Sequence, residues 1–91
     1  MELRKYGILF ETYLKEIHPA KYYELLKNNS LMHYILEEEQ YLYRFADMTK
    51  LYLKSIYPEP KTHEFTVMAK YNLMIKNMVE EYVRHEITKI V

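Results

Sequence analysis

The sequence has no cysteine, a single glycine and no surplus of either charge. Without cysteine there can be no disulfide framework, no thiolate zinc site and no cysteine nucleophile; the composition suits a reducing cytoplasm. With Gly7 alone, a sheet built on hairpin turns is a poor expectation, and long helices are favoured. Lys and Arg total 13, as do Asp and Glu. The signs are mixed along the chain, so neither a basic arm for phosphates nor an acidic nucleic-acid mimic is present. No apolar run approaches the ~18–20 residues that cross a membrane. The start, "MELRKYGILFETYLKE", has no apolar stretch of signal-peptide length before Glu11. Walker, glycine-rich phosphate-loop and Ser-His-Asp patterns are missing too, so the expected protein is not an enzyme and takes no cofactor or metal.

What is present reads as an all-α bundle in one domain of 91 residues. The first helix is expected from about Leu3 to Ile17, with Leu3, Tyr6, Phe10, Leu14 and Ile17 at helical spacing. It should stop at His18, because a residue before proline is disfavoured in helix, while Pro19 suits the first turn of the next one. That short helix carries Tyr22, Leu25 and Leu26 on its apolar side and ends at Asn28–Asn29, residues that tolerate the left-handed conformation. Ser30 is the expected N-cap of a long helix over 31–56, and Thr62 that of a second over 63–90. Between them "YPEPKT" breaks the helix, so the two long helices should form an antiparallel hairpin with the short ones packed across it.

Helical phase then assigns faces. Leu31, Ile35, Leu42, Phe45, Ala46, Thr49, Leu53 and Ile56 share one arc of the third helix. Glu38 falls in that arc, whereas Glu37 and Glu39 point to its flanks. Glu38 should therefore bond a tyrosine such as Tyr34 or Tyr82, or an amine, or else lie on a partner-binding surface. The fourth helix has one apolar row of Phe65, Met68, Ala69, Asn72, Ile75, Val79, Val83, Ile87 and Ile90. Its second row is Val67, Tyr71, Met74 and Met78, which must meet the short helices, another copy or a partner. His33 with Glu37, and Glu81 with His85, have the spacing of bundle metal ligands, but the first pair lies off the apolar arc and reads as solvated charge.

Eleven tyrosines are the main compositional excess. Tyrosine packs at a core edge with its hydroxyl wet, and it is also enriched at protein interfaces. The expected partner-binding set is Glu38, Tyr41, Tyr52, Tyr57, Tyr71, Met74 and Met78. The nucleic-acid alternative is Lys50, Lys54, Lys61, Lys70 and Lys76, read as a basic patch among Tyr52, Tyr57 and Tyr71 near the hairpin turn. "HPAKYYELLKNNSLMHYILEEEQ" has a helix-turn-helix outline, but its second helix opens with "LMHYILEEE", whose glutamates would face phosphates unfavourably.

The segments "YLKEIHPAKYYELLKNNSLMHYILEEEQ" and "VEEYVRHEITKIV" resemble the TnpV-type small proteins of bacterial transposons, from Tyr13 onward. The features that carry the likeness are "YLKE" followed by proline, "YxxLL" ending in a turn, and "EEYVxxEI" from Glu80 to Ile87. The sequence departs from the pattern at "NNS", where glycine is usual, and at Glu38, where an apolar residue is usual. The resemblance implies a mobile-element origin and an accessory role, and it brings no catalytic residues with it. The leading expectation is a protein-interaction module that binds a larger nucleic-acid enzyme: a transposase, a recombinase, or a host CRISPR nuclease, which would make it an anti-CRISPR-type inhibitor. The alternatives are a nucleic-acid-binding transposition factor and a self-associating helical dimer.

Overall fold

Pro19 and the "YPEP" turn divide the chain as expected. The computed structural model describes residues 2–91 and contains, among them, α1 Lys5–Ile17, α2 Pro19–Lys27, α3 Leu31–Ile56 and α4 Phe65–Ile90. Pro19 opens α2, where its missing N–H costs nothing. Asn29 takes φ 59°, and the N–H groups of Asn29 and Ser30 donate to the carbonyls of Leu26 and Leu25. This is the Schellman ending, achieved with asparagine in place of glycine.

Two expected caps are corrected. The Ser30 side chain does not cap α3; its hydroxyl turns back to donate to the Leu25 carbonyl at 3.5 Å. The fourth helix begins at Phe65, not at residue 63, because the Glu64 N–H is held by the Thr62 hydroxyl at 3.1 Å while the chain is still extended. The first helix also starts later than Leu3, at Lys5.

Helices α3 and α4, 26 residues each, lie antiparallel; each is about 39 Å long. Helix α3 is the centre of the assembly: α4 packs along it, and α1 and α2 pack on it and on each other. The molecule is elongated, 54 × 25 × 19 Å. Its core is one cluster built from Phe10 and Leu14 of α1, Ile35, Leu42 and Leu53 of α3, and Ile75, Val83 and Ile87 of α4.

Several residues expected inside lie outside. Ile17, Leu26, Ile56, Phe65, Ala69 and Asn72 are exposed. The short helices cover only part of the hairpin, so the outer turns of α1 and α2 and the turn end of α3–α4 have nothing to bury them.

The largest correction concerns the acidic triplet. The buried carboxylate is Glu39, 4% exposed, and not Glu38. Helix α3 must face α4 and α1 at once, which rotates its buried arc toward α1 and draws in Glu39. The carboxylate is tolerated there because it accepts the Arg4 N–H at 2.6 Å and lies 3.5 Å from the Arg4 Nε. Arg4 is the N-cap residue of α1, so Glu39 also meets the positive end of that helix. Gly7, buried beside it, supplies the space.

Candidate functional site

A two-helix layer can be covered on both faces or on one. Here α1 lies against one face, where Arg4 stacks over Tyr43, 3.9 Å from the ring centre, and Tyr6 packs 4.6 Å from the same ring. Lys5 of α1 reaches α4 through an ion pair with Glu80. This pair holds the Glu80 carboxyl below its ordinary value and the Lys5 amine above its own. The opposite face has no such cover.

On that open face α3 presents Tyr41, Phe45, Met48, Tyr52 and Ile56, recurring every three or four residues. Phe45 is half-buried; Tyr41, Met48, Tyr52 and Ile56 are exposed, Met48 at 72%. Away from this row, Leu51 and, at the start of α4, Phe65 are also exposed, at 71% and 85%. Scattered exposed apolar residues are ordinary, but a continuous row of them marks an interaction surface.

The predicted partner-binding residues divide accordingly. Tyr41, Tyr52 and Tyr57 are exposed, and the Tyr41 hydroxyl donates to the Glu86 carboxylate. Tyr71 is not a surface residue. It is 7% exposed, and its hydroxyl donates to the Tyr57 carbonyl at 2.5 Å. This satisfies a carbonyl that the end of α3 would otherwise leave open and ties the hairpin turn shut. Tyr71→Phe should lower stability by about 0.5–1.5 kcal/mol, the usual worth of one such bond. Urea denaturation followed by circular dichroism measures it; an unchanged midpoint would mean that the bond contributes nothing.

Met74 is exposed and Met78 half-buried against the core, on a strip of α4 that also holds Leu73. Half of the question about the second row of α4 is therefore settled for the core: Tyr71 is inside and Met74 outside.

Glu38 is half-buried and makes no hydrogen bond to Tyr34 or Tyr82 among the described residues. It borders an open hollow of about 620 Å³ with Tyr41, Arg44, Glu86 and Lys89. Burial, and then the charge of Glu37, push its carboxyl above the ordinary range. Folding thus favours its protonated form, and the group opposes folding as pH rises through that raised range. The neighbouring Tyr34 hydroxyl is likewise pushed up by burial and by Glu38. His33 and Glu37 lie 2.9 Å apart with both side chains in solvent.

Of the five lysines, Lys50, Lys54 and Lys76 line one cavity of about 500 Å³ on the α1 side, with Lys5, Tyr6, Tyr43, Asp47, Asn72 and Glu80. Lys54 also lies 3.5 Å from Glu59. Lys61 sits in the loop hollow beside His63, and Lys70 on the outer strip of α4. The expected mixture of these lysines with Tyr52, Tyr57 and Tyr71 does not form. Tyr6 and Tyr43 are the aromatic neighbours instead, because positions 50 and 54 point toward α1 and position 52 points away from it.

Sequence reasoning passed over Met48, Leu51 and Leu73, all exposed; it placed Phe65 in the apolar row of the fourth helix and Tyr82 beside Glu38, and both are exposed too. The signal for the first was available: Tyr41, Phe45, Met48 and Tyr52 repeat with heptad spacing beside the core row.

Among the described residues no helix is long and apolar enough to cross a membrane. The family model for transposon-encoded protein TnpV matches residues 1–88, further toward the N-terminus than the motifs from Tyr13 onward. No curated protein and no solved structure matches the chain.

Proposed function

The chain belongs to the family of transposon-encoded TnpV proteins, and from that premise we propose that it serves its mobile element as an accessory protein-interaction module, binding and modulating a larger nucleic-acid enzyme. The observation that carries this reading is the bare α3 row of Tyr41, Met48, Tyr52 and Ile56. Tyrosine and methionine are suited to such a surface: one offers a rigid amphipathic ring, the other an adaptable apolar chain. In this reading the protein is not an enzyme and needs no cofactor. It acts in the cytoplasm by occupying a surface of its partner.

The partner classes to test are the transposase or recombinase of the element and host CRISPR nucleases, binding to the last of which would make the protein an anti-CRISPR-type inhibitor. Each purified enzyme is titrated with the wild-type protein and with Met48→Glu and Tyr52→Ala. A central contact of a protein interface is worth about 2–4 kcal/mol, so Met48→Glu should weaken the true complex by about 30-fold or more. The reading fails if none of these enzymes binds, or if one binds Met48→Glu as well as the wild type.

A second reading has its own observation, the cavity shared by Lys5, Lys50, Lys54 and Lys76. Those four amines against Asp47 and Glu80 leave a local positive surplus that could hold nucleic-acid phosphates. Such binding should weaken steeply with salt. A mobility shift missing even in low salt removes it.

A further inference from the structure

Helix α4 meets α1 at the Lys5–Glu80 ion pair, and α3 is its main neighbour. It packs along α3, and its outward strip holds Lys70, Leu73, Met74, Asn77, Met78 and Glu81 around a shallow, mainly apolar hollow of about 410 Å³. Leu73 and Met74 are exposed, and neither Lys70 nor Glu81 has an ion-pair partner among the described residues. The two unpaired charges have opposite signs and stand at opposite ends of the apolar stretch.

We propose that this strip is the self-association surface of the protein, paired antiparallel with the same strip of a second copy about a two-fold axis passing between Ile75 and Lys76. The order of residues carries the assignment. A two-fold contact places each residue against its mirror position along the helix. About this axis Lys70 meets Glu81 of the second copy, Leu73 meets Met78, and Met74 meets Asn77. The two-fold axis makes two Lys70–Glu81 pairs of opposite sign, one at each end, and sets Leu73 at the level of Met78 between them. A strip with two like charges at its ends would repel itself under the same operation.

The strip from Lys70 to Glu81 is about 16 Å long, three helical turns. A contact that short lies at the small end of specific interfaces, so the dimer is a weak one with a dissociation constant in the micromolar range. It also covers the outward strip of α4, which a thin, 91-residue core leaves bare. The surface differs from the α3 row on which the proposed partner reading rests, so either can fail while the other stands.

Sedimentation equilibrium across about 1–300 µM protein tests the assignment. The wild type should pass from monomer to dimer in that range. Lys70→Glu and Glu81→Lys should each weaken the dimer at least about tenfold, since each puts two like-charge pairs into the seam. The double variant Lys70→Glu/Glu81→Lys restores both pairs with reversed sign and should return to within about threefold of the wild type. Leu73→Asp should abolish the dimer, and circular dichroism confirms that each variant, altered at the surface, keeps its helix content. A wild type that stays monomeric, a double variant no better than the product of the singles, or a dimer indifferent to Leu73→Asp overturns the proposal.

Discussion

Phe10→Ala should destabilise the protein by about 3–5 kcal/mol, the range for truncating a buried aromatic. Phe10 is fully buried, belongs to the single core cluster, and its ring lies 5.7 Å from that of Tyr34. It is the largest apolar group that α1 buries completely, and with Leu14 it fixes α1 to α3. The void it would leave lies between two helices whose backbones are held by their own hydrogen bonds, so collapse around it is incomplete. Net stabilities of small domains are about 5–15 kcal/mol, so the loss takes a large part of the total. Urea denaturation should show an earlier midpoint with little change in slope. A loss below about 1 kcal/mol, under half the low end of the range for truncating a buried residue, would mean that α1 is not docked where Phe10 and Tyr34 place it.

The second large effect reverses a general rule. Glycine to alanine inside a helix ordinarily stabilises by roughly 0.5–1 kcal/mol. Gly7→Ala should instead destabilise, by about 1–3 kcal/mol. A Cβ at Gly7 would lie 2.9 Å from the Glu39 Cδ, closer still to its Oε2, and 3.2 Å from the Leu3 Cβ. The Glu39 side chain can swing away only by releasing the Arg4 N–H and moving from its guanidinium. A buried carboxylate would then have lost its partners, at a cost greater than the helix-propensity gain. The double-mutant cycle makes the cause visible. In the Glu39→Ala background the carboxylate is gone and only the 3.2 Å approach to the Leu3 Cβ remains, so Gly7→Ala should turn stabilising, by at most about 0.5–1 kcal/mol. Thermal or urea unfolding of the four proteins reads the sign directly. If Gly7→Ala has the same sign in both backgrounds, the carboxylate is not what demands the glycine.

These two sites differ in how visible they were beforehand. Phe10 stands in a plain helical repeat with Tyr6 and Leu14, and the repeat alone marks it as buried. Glu39 sits in "EEEQ", where a phase fitted to the α3–α4 seam singles out Glu38. The error is one residue, about 100° of helix, and it arises because α1 adds a second direction of burial that the seam does not contain. Tyr71 was misplaced for a related reason: a second apolar row can mean an interface or a core edge, and only the position of the Tyr57 carbonyl decides between them. The lysines at 50, 54 and 76 were already a plausible group, but which aromatic rings accompany them depends on where α1 crosses the hairpin.

The sequence by itself determined the helical class, the break at Pro19, the left-handed turn at Asn29, the antiparallel hairpin and the family. These follow from local backbone chemistry, periodicity and the order of short motifs, none of which needs a distant contact. The tertiary structure alone decided which face of α3 is covered, which of three adjacent glutamates is buried, why the only glycine is at position 7, and which apolar rows remain in solvent. Each of those depends on where α1 lies across α3 and α4, on groups far apart along the chain meeting at a few ångströms, and helical phase fixes an angle around one axis without saying what stands opposite it.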